Sequence, residues 1–499
     1  MSDAENHARL RKAVADRFGG RRVLVVGDLM LDAYVWGEVA RVSPEAPVLV
    51  VRLDRRTANP GGAGNVMLNL AALGIEARAA GFVGRDQAGE MLVGLLDQAG
   101  IRTAGIRRWD DRPTITKTRI VGGHQQVLRL DEESDAPVPD AAIDALLASA
   151  FVQLREGVDA VILSDYAKGT LTPGVCRAVI DEARRLGLPV LADPKGRDYS
   201  KYSGATTLTP NRHELEAATG LPAILDEDIR AAAARLREHV ALDFLVVTRG
   251  EHGIGLFDGR GARFFPAMAR EVFDVSGAGD TVIATFTAGL VAGLPIDEAL
   301  HLANLAAGVV VGKIGTVPID RGELLDAIRT EQAIEQSDKV ADLDNLLPRI
   351  ERWRANRDRI VFTNGCFDLL HVGHVTLLAQ AKALGDRLIV GLNSDASVRR
   401  LKGETRPVTS ESDRAHVLAA LGSVDAVVLF GEDTPLRLIE AIRPEILVKG
   451  GDYAEDEVVG GDFVRSHGGR VALVPIVEGR STTRIVNKLQ GDPADTKGS

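Results

Sequence analysis

Short apolar runs bounded by glycine, aspartate or proline alternate with longer segments of helical periodicity along most of the chain. Runs of this kind are typical of strands buried on both faces of a parallel sheet, and their alternation with helices predicts an α/β fold. The runs predicted as strands are 23–26, 160–163, 190–192, 244–247, 360–362, 387–392, 426–429, 445–448 and 470–474.

Two stretches, 33–56 and 115–130, have a different pattern. They are rich in residues that favour strands and alternate partly between apolar and polar positions, with no helical segment inside either stretch. We predict that they form a small antiparallel β-lid attached to the first sheet.

At 499 residues the chain is too long for one ordinary core. A charged segment, 321–348, has a polar middle that suits either a linker or a solvated helix, and a new strand follows at 360. We therefore predict a first domain over 1–325, a linker over 326–345, a second domain over 346–490 and a disordered tail over 491–499.

The formal net charge of −10 disfavours non-specific binding to nucleic acid or to an anionic membrane, because both require a basic surface. The two cysteines, Cys176 and Cys366, cannot build a disulfide framework. Residues 1–22 lack the apolar core of a signal peptide, and no apolar run approaches the ~20 residues that span a bilayer. These features predict a cytoplasmic protein.

Residues 273–280 (F-D-V-S-G-A-G-D) immediately precede an apolar helical run. Gly277 and Gly279 lack a Cβ, so backbone amides could surround an anion at the start of the helix. Asp280 could accept the proton of an attacking hydroxyl, as a carboxylate base does in phosphoryl transfer. A glycine-rich turn capped by Asp280 would explain the same residues without chemistry. No G-x-x-x-x-G-K-[ST] sequence is present, which excludes a P-loop kinase.

Two further clusters favour a sugar site. Residues 27–32 end the first predicted strand, and ligands bind at the carboxyl edge of parallel sheets. Residues 59–65 (N-P-G-G-A-G-N) lead into a predicted helix at 66–73, and their backbone could approach a sugar closely. Each cluster alone is more often a turn. The candidate sugar contacts are Asp32, Gly61, Gly62 and Asn65.

Together these segments resemble the ribokinase-like (PfkB) family of carbohydrate kinases over about residues 20–325. The resemblance implies a doubly wound sheet, Asp280 as the catalytic base, and an anion hole whose amide donors are Gly277, Ala278 and Gly279. It also implies Mg²⁺ bound through Glu214 and water, with no direct protein ligand. The residues implied for ATP and its phosphates are Lys195, Asn211, Glu214, Thr248, Gly250 and Asn304.

Residues 363–374 (T-N-G-C-F-D-L-L-H-V-G-H) lie between a predicted strand and a predicted helix at 375–384. The glycine of H-x-G-H lets phosphates approach the backbone, and His371 and His374 could bond phosphate oxygens. An isolated histidine pair more often binds metal or packs, but this pair lacks a third nearby ligand. Further candidate nucleotide contacts in the segment are Thr363, Gly365 and Phe367.

Three hydroxyl residues open the predicted last helix, and one N-cap explains only one of them. The three, Ser481, Thr482 and Thr483, are followed by Arg484, which favours a pyrophosphate-binding turn. Candidate phosphate contacts elsewhere, each equally explained as a solvated charge, are Lys402, Arg406 and Lys449.

Both motifs resemble the cytidylyltransferase-like nucleotidyltransferases over about residues 355–490, which implies a Rossmann-like second domain. In that family the two histidines stabilise the charge that develops as a phosphate attacks the α-phosphorus of a nucleotide, and pyrophosphate leaves. Arg480 stands where the family often has an apolar or small residue.

The order of the two domains, with residues 41–48 of the lid, resembles the bifunctional heptose kinase/adenylyltransferases of Gram-negative bacteria over nearly the whole chain. The resemblance implies ATP- and Mg²⁺-dependent phosphorylation of O1 of D-glycero-β-D-manno-heptose 7-phosphate. A separate phosphatase would remove the 7-phosphate, and the second domain would form ADP-heptose and pyrophosphate for lipopolysaccharide synthesis. Candidate contacts to the 7-phosphate in the lid are Arg41, Lys117 and Arg119.

Related kinases bury the lid against a second copy, so the resemblance also implies a homodimer through the kinase domain, with ATP and sugar phosphates as its small-molecule ligands. Nothing in the residues distinguishes adenine from cytosine physically. Another sugar kinase fused to a cytidylyltransferase that makes a CDP-sugar or CDP-polyol therefore remains an alternative, as does a sensor that binds sugar and nucleotide without turnover.

Overall fold

The computed structural model describes residues 3–123, 125–134, 136–268, 272–313, 315–355, 357–450 and 457–474. The chain forms two compact units. The first unit is Ala8–Ile328, and the second is Arg329–Ser499 together with Met1–His7. None of the described helices is both long and apolar enough to cross a bilayer.

The described residues up to 338 form both strands and α-helices. The strands are β1 (Arg22–Gly27), β2 (Leu29–Val42), β3 (Leu49–Gly62), β4 (Glu76–Gly84), β5 (Arg102–Trp109), β6 (Ile115–Gly122), β7 (Gln125–Glu132), β8 (Ala160–Ser164), β9 (Val190–Asp193), β10 (Thr207–Leu208), β11 (Leu245–Thr248), β12 (Ile254–Asp258) and β13 (Gly261–Phe265). The helices are α1 (Asp3–Lys12), α2 (Ala63–Ala72), α3 (Gln87–Gln98), α4 (Asp140–Arg155), α5 (Pro173–Arg185), α6 (Arg212–Thr219), α7 (Asp226–His239), α8 (Ala278–Val291), α9 (Ile296–Val310) and α10 (Arg321–Asp338).

The central sheet of the first unit is parallel and has the order β10-β9-β8-β1-β4-β5. Alternate side chains of β1 enter different cores: Val23 and Val25 pack on one face of the sheet, and Leu24 and Val26 pack on the other. A strand covered on both faces needs apolar residues at every position. The predictions of buried parallel strands at 23–26, 160–163 and 190–192, and of an α/β fold, are therefore confirmed.

Thr248 forms a parallel bridge with Asn211, which follows β10, and the run before it, 244–247, is buried as predicted. It becomes β11, which pairs antiparallel with β12 in a three-stranded sheet, β11-β12-β13. The short 3₁₀ turn Gly250–His252 joins β11 to β12, and so short a connection permits only antiparallel pairing. The apolar pattern identified the buried strand but not its antiparallel partner β12, because an apolar pattern does not record strand direction.

The predicted lid is a four-stranded sheet with the order β3-β2-β6-β7. Its two outer pairs are antiparallel, but β2 and β6 run parallel, so the prediction of a wholly antiparallel lid is wrong at that pair. The lid consists of two hairpins, β2-β3 and β6-β7. The hairpins pair with each other through β2 and β6, which run in the same direction.

The remaining elements belong to the second unit. The strands are β14 (Val340–Ala341), β15 (Ile360–Gly365), β16 (Arg387–Asn393), β17 (Ala426–Phe430), β18 (Ile446–Gly450) and β19 (Arg470–Val474). The helices are α11 (Leu343–Ala355), α12 (Val372–Ala383), α13 (Asp395–Lys402), α14 (Glu411–Ala419), α15 (Leu436–Ile442) and α16 (Gly461–Ser466). The sheet is parallel with the order β14-β17-β16-β15-β18-β19, which confirms the strands predicted here.

The segment predicted as a linker, 326–345, has regular structure. It contains the end of α10, strand β14 and the start of α11, and β14 forms an edge of the second sheet by pairing with β17. Its polar composition reflects the exposed position of an edge strand and of helix surfaces. The predicted tail, 491–499, lies outside the described residues.

Candidate active sites

The first candidate site is centred on Asp280, in the first turn of α8. Its Oδ2 atom accepts a hydrogen bond from Asn65 Nδ2 at 2.7 Å, and its Oδ1 atom accepts one from the Tyr166 hydroxyl at 2.7 Å. Asn65 lies in the first turn of α2, and Tyr166 follows the carboxyl end of β8. Three elements thus bring polar side chains together at one edge of the sheet, where parallel α/β proteins bind ligands.

Asp280 is only 6% exposed. Burial raises the pKa of its carboxyl to about 6, against the hydrogen bonds from Tyr166 and Asn65, which favour the charged form. A carboxylate with this pKa is ionised at neutral pH yet basic enough to take a proton, which is what a general base requires.

The turn before Asp280 depends on glycine. Gly277 has φ +79°, and a Cβ at this position would lie 2.7 Å from Asn65 Nδ2. Of the three amides predicted to form the anion hole, that of Ala278 donates to the Val275 carbonyl at 3.2 Å, so the turn itself engages it. Gly279 follows in the first helical turn, where amides have no carbonyl of a preceding turn to bond.

The predicted sugar contacts pack closely against one another. A Cβ on Gly61 would lie 2.1 Å from Asp32 Oδ2, and Gly62 has φ +58°. Gly61 lets β3 pass the Asp32 side chain, which is buried and accepts a hydrogen bond from Arg119, whereas Gly62 lies against the Asp28 carbonyl and Met30. Asn65 has a role that the sequence did not indicate, because its amide group faces Asp280.

Of the predicted 7-phosphate contacts, Lys117 and Arg119 are in register with Asp32 and Tyr34, respectively. Arg41 lies on the same strand as Asp32 but nine residues further along it. At about 3.3 Å per residue this is about 30 Å, which is too far for one sugar to touch both in the same chain. The prediction for Arg41 is wrong within a single chain.

The predicted phosphate-side residues bond to one another. Asn211 and Glu214 form a capping box at the start of α6, with both hydrogen bonds at 3.0 Å. Lys195 Nζ donates to Glu214 Oε1 at 2.7 Å, and Thr248 forms a β-bridge with Asn211. Burial, together with the charges of Asp280 and Glu214, raises the pKa of Asp193. Asp193 is therefore near both carboxylates, which places the predicted phosphate-side residues beside the group around Asp280.

Two predicted ATP contacts lie in other elements. Asn304, on α9, donates to the Pro266 carbonyl after β13. Gly250 begins the 3₁₀ turn after β11 with φ +60°, and a Cβ there would have open space around it. Both have polar or backbone groups that a nucleotide could bond.

The second candidate site follows β15. His371 is the N-cap residue of α12 and His374 lies in its first turn, with the two rings stacked at 3.9 Å between centroids. Phe367 packs edge-on against His374 at 5.1 Å. Thr363 donates to the Val448 carbonyl at 3.0 Å, which ties the end of β15 to β18. Gly365, the last residue of β15, lies against the Phe367 ring.

Burial and the neighbouring His371 and Lys402 lower the pKa of His374 to about 4, so this imidazole is neutral at neutral pH. Lys402 is therefore close enough to His374 for its charge to act on the imidazole. Burial also lowers the pKa of Lys449 to about 8. A buried lysine gains most from a ligand that brings negative charge.

Arg406 is engaged inside the protein. It pairs with the buried carboxylate of Asp368, which also accepts the amides of Val408 at 2.7 Å and Thr409 at 3.3 Å. Its Nη2 atom is buried and has no hydrogen-bond partner among the described residues. The structure thus gives Arg406 a structural role that the sequence did not show, and leaves one of its nitrogens for a ligand.

The hydroxyl residues Ser481, Thr482 and Thr483, with Arg480 and Arg484, lie outside the described residues. The sequence reasoning also missed two residues of the described sites. Tyr166 could have been found from the sequence, because the polar pair Asp165-Tyr166 directly follows a buried strand. No pattern in the sequence indicates Arg414. Arg414 is almost fully buried and bonds the Cys366 carbonyl and, at 2.7 Å, Asp395.

Comparison with known families matches residues 21–320 to the pfkB family carbohydrate kinases and residues 362–478 to the cytidylyltransferase-like family. The bifunctional protein HldE of Methylobacillus flagellatus is 56% identical over 467 residues, covering 94% of this chain and 96% of that protein. The bifunctional protein HldE of Magnetococcus marinus is 56% identical over 485 residues, covering 96% and 99%.

Solved structures match the first unit. Ribokinase of Arabidopsis thaliana, complexed with ribose and ATP, superposes with a TM-score of 0.50 at 23% identity, covering 62% of this chain and 99% of that one. Phosphofructokinase-2 of Escherichia coli superposes with a TM-score of 0.52 at 19% identity, covering 62% and 98%. At these identities the likeness establishes the ribokinase-like fold alone.

Proposed function

The chain belongs to the pfkB family of carbohydrate kinases and, over nearly its whole length, to the bifunctional HldE proteins. From this premise we propose which of its residues carry out each of two reactions of ADP-heptose synthesis. The first unit is a heptose kinase and the second is an adenylyltransferase. The observation that carries the proposal is the buried Asp280 carboxylate, held by two donors at the start of α8.

In the kinase reaction, Asp280 takes the proton of O1 of D-glycero-β-D-manno-heptose 7-phosphate. The O1 atom forms a bond to the γ-phosphorus of ATP as the bond to the bridging oxygen breaks, and ADP leaves. An anomeric hydroxyl is more acidic than an ordinary alcohol, so a carboxylate is a sufficient base. Asp32 holds the sugar by accepting hydrogen bonds from its hydroxyls. The glycine turn at 277–279 stabilises the charge on the transferred phosphoryl group.

Mg²⁺ would accompany ATP in this site. Both Glu214 oxygens already accept hydrogen bonds, from Lys195 Nζ and from the Asn211 amide, which suits contact through water rather than direct ligation. Asp193 lies beside Glu214 and adds a second carboxylate, a donor type that Mg²⁺ prefers. The ion would neutralise charge on the phosphates, while Lys195, Asn211 and Glu214 orient them.

The 7-phosphate of the sugar would bind on the lid face that carries Asp32. Lys117 is in register with Asp32 on β2 and with Asp131 on β7, so its side chain belongs to that face. The structure gives Lys117 no hydrogen bond or ion pair with any described residue, whereas Arg119 already pairs with Asp32. Among the described residues, Lys117 is therefore a cation without a partner beside the sugar site, with Arg119 next to it.

In the second reaction, an oxygen of heptose 1-phosphate attacks the α-phosphorus of ATP. The bond between the α-phosphorus and the bridging oxygen breaks, pyrophosphate leaves, and ADP-heptose forms without a covalent enzyme intermediate. His371 and His374 donate to the phosphate oxygens whose charge grows in the transition state. Lys402 and Lys449 would neutralise the departing pyrophosphate, and the hydroxyls of Ser481, Thr482 and Thr483 would donate hydrogen bonds to it.

The lid would also join two copies of the chain. Many of the exposed large apolar side chains of the described residues lie in the lid hairpins: Val39, Val42, Val48, Leu49, Leu53, Val127, Leu128 and Leu130. An apolar surface of this kind on a soluble enzyme is typical of an interface. A second copy is its occupant, because a symmetric dimer brings the same apolar face to itself and also covers the open edges of the sheet.

Single substitutions should separate the two reactions. We expect Asp280→Asn to lower the kinase rate by about 10²–10⁴-fold, since a general base contributes about that much. His374→Ala should lower adenylyl transfer by about 10²–10³-fold, as removal of one transition-state donor does. Each variant should keep the other activity. Mass spectrometry of the products from heptose 7-phosphate with ATP and Mg²⁺, and from heptose 1-phosphate with ATP, measures both.

Two outcomes would contradict the assignment. If both variants stayed folded and each lost both activities, the two sites would not be independent. If heptose 1-phosphate released more pyrophosphate with CTP than with ATP, the second unit would be a cytidylyltransferase.

A further inference from the structure

The loop that follows β8, residues 165–170, is tied to the end of β1 by one carboxylate. Asp28 is fully buried, and its two oxygens accept the amides of Tyr166 at 2.9 Å, Lys168 at 3.0 Å and Thr170 at 3.0 Å. A buried carboxylate with three amide donors fixes the backbone of all three residues.

A second carboxylate fixes the same loop from its other side. Asp165 accepts the Ala167 amide at 2.7 Å, the Tyr202 hydroxyl at 2.6 Å and Lys201 Nζ at 2.6 Å. Ala167 has φ +55°, a backbone conformation that a non-glycine residue keeps only where its surroundings impose it. The loop is therefore rigid, and it presents Tyr166 in one orientation.

The Tyr166 hydroxyl donates to Asp280 Oδ1 at 2.7 Å. The direction of this bond is settled by the surroundings of the phenol. Burial, together with the carboxylates of Asp280, Asp193 and Asp32, raises the pKa of Tyr166 well above its usual value, so the hydroxyl keeps its proton. Tyr166 is thus a donor to Asp280 whenever the Asp280 carboxyl is ionised.

We infer that Tyr166 is a positioning residue for the kinase reaction, which holds the Asp280 carboxylate in its ionised form and aims it at the sugar hydroxyl. The inference rests on the proposed role of Asp280 as base. Asp280 lies in a buried site near Asp32, and both the burial and that neighbouring carboxylate favour its protonated form. Tyr166 on Oδ1 and Asn65 on Oδ2 act in the opposite direction, and each oxygen keeps a second lone pair for the substrate proton.

The test is the pH profile of Tyr166→Phe in the full-length enzyme, with kcat/KM for heptose 7-phosphate followed by ADP release. Loss of one hydrogen bond to the charged form raises the pKa of Asp280. The acidic limb of the profile should therefore move upward by about one pH unit. At pH 9 the variant should recover to within a few-fold of the unchanged enzyme, which also shows that it is folded.

Tyr202→Phe is a matched control. It removes a buried phenol hydroxyl that bonds Asp165, in the same loop, and does not bond Asp280. Loosening of the loop alone would affect both variants equally. We expect the acidic limb of Tyr202→Phe to stay within a few tenths of a pH unit of the unchanged enzyme.

The inference is wrong if Tyr166→Phe lowers kcat/KM by the same factor at every pH, or if Tyr202→Phe moves the acidic limb as far. Asp280→Asn distinguishes this failure from failure of the proposed function. An inactive Asp280→Asn enzyme with an unmoved limb in Tyr166→Phe leaves Asp280 as the base and removes only the role of Tyr166. An active Asp280→Asn enzyme would remove both.

Discussion

At Asp32, the side chain and the opposite strand fit so closely that position 61 can hold no side chain, since a Cβ there would lie 2.1 Å from Asp32 Oδ2. Position 277 is restricted in the same way by Asn65 and by its positive φ. The glycines at 61 and 277 therefore leave room for the side chains of Asp32 and Asn65, in addition to exposing the backbone. A sequence shows where a Cβ is missing, but not which atom occupies its place.

Lys117 offers the clearest test of how the kinase recognises its phosphorylated substrate. We expect Lys117→Met to raise KM for heptose 7-phosphate by about 10- to 100-fold, because a hydrogen bond between charged groups is worth about 1.5–3 kcal/mol. KM for unphosphorylated heptose should change little, since that sugar has no group for Lys117 to bind. Steady-state kinetics with the two sugars make the comparison.

Lys117→Arg is the conservative variant, and it should retain most of the affinity for heptose 7-phosphate because it keeps the charge. An equal rise in KM for both sugars in Lys117→Met would place the 7-phosphate elsewhere and leave Lys117 with a general role in the shape of the lid.

Among the elements, buried strands were the most predictable, because a strand covered on both faces has few polar positions. Direction and partner were less predictable: the run at 244–247 has an antiparallel partner, β12, and β2 and β6 are parallel within the lid. The pairing of β2 with β6 joins segments that are distant in sequence, and no local pattern records it. The contact between Tyr166 and Asp280 has the same origin, since 114 residues separate them.

Strand β14 lies in the segment that we predicted to be a linker. A proline substitution can distinguish the two, because proline removes a backbone donor that a paired strand uses and a linker does not. The Val427 amide donates to the Lys339 carbonyl at 2.7 Å, and the same parallel bridge uses the Ala341 amide. Ala341→Pro removes that donor. It should destabilise the second unit by about 1–3 kcal/mol and leave kinase activity unchanged. Urea unfolding followed by adenylyl transfer measures the effect.

Ala341→Val is the matched control, because it keeps the amide and favours a strand. If proline and valine left the urea midpoint equal to that of the unchanged enzyme, residues 340–341 would be a linker in solution and the pairing with β17 would contribute nothing.

At the scale of the whole molecule, the net negative charge means that anionic substrates have to be bound by local groups. A net charge of −10 accompanies two sites in which the groups that we propose to bind phosphate are helix starts and a few cations. The helix starts were visible in the sequence because glycine and histidine mark them. The cations were harder to assign, because a lysine that binds a ligand and a solvated lysine have the same sequence.

The apolar lid predicts the oligomeric state of the whole enzyme. Leu128 and Leu130, on β7, are 49% and 48% exposed and point to the same side of the sheet, since side chains alternate along a strand. Replacing both with threonine keeps the strand propensity and removes apolar area. Analytical ultracentrifugation should give the unchanged enzyme twice the mass of the chain, and the double variant the mass of one chain. Met91→Thr, at an equally exposed apolar position on α3, should stay dimeric, because it lies outside the lid. A monomeric unchanged enzyme, or a double variant that remained dimeric, would mean that the apolar face of the lid does not join two copies.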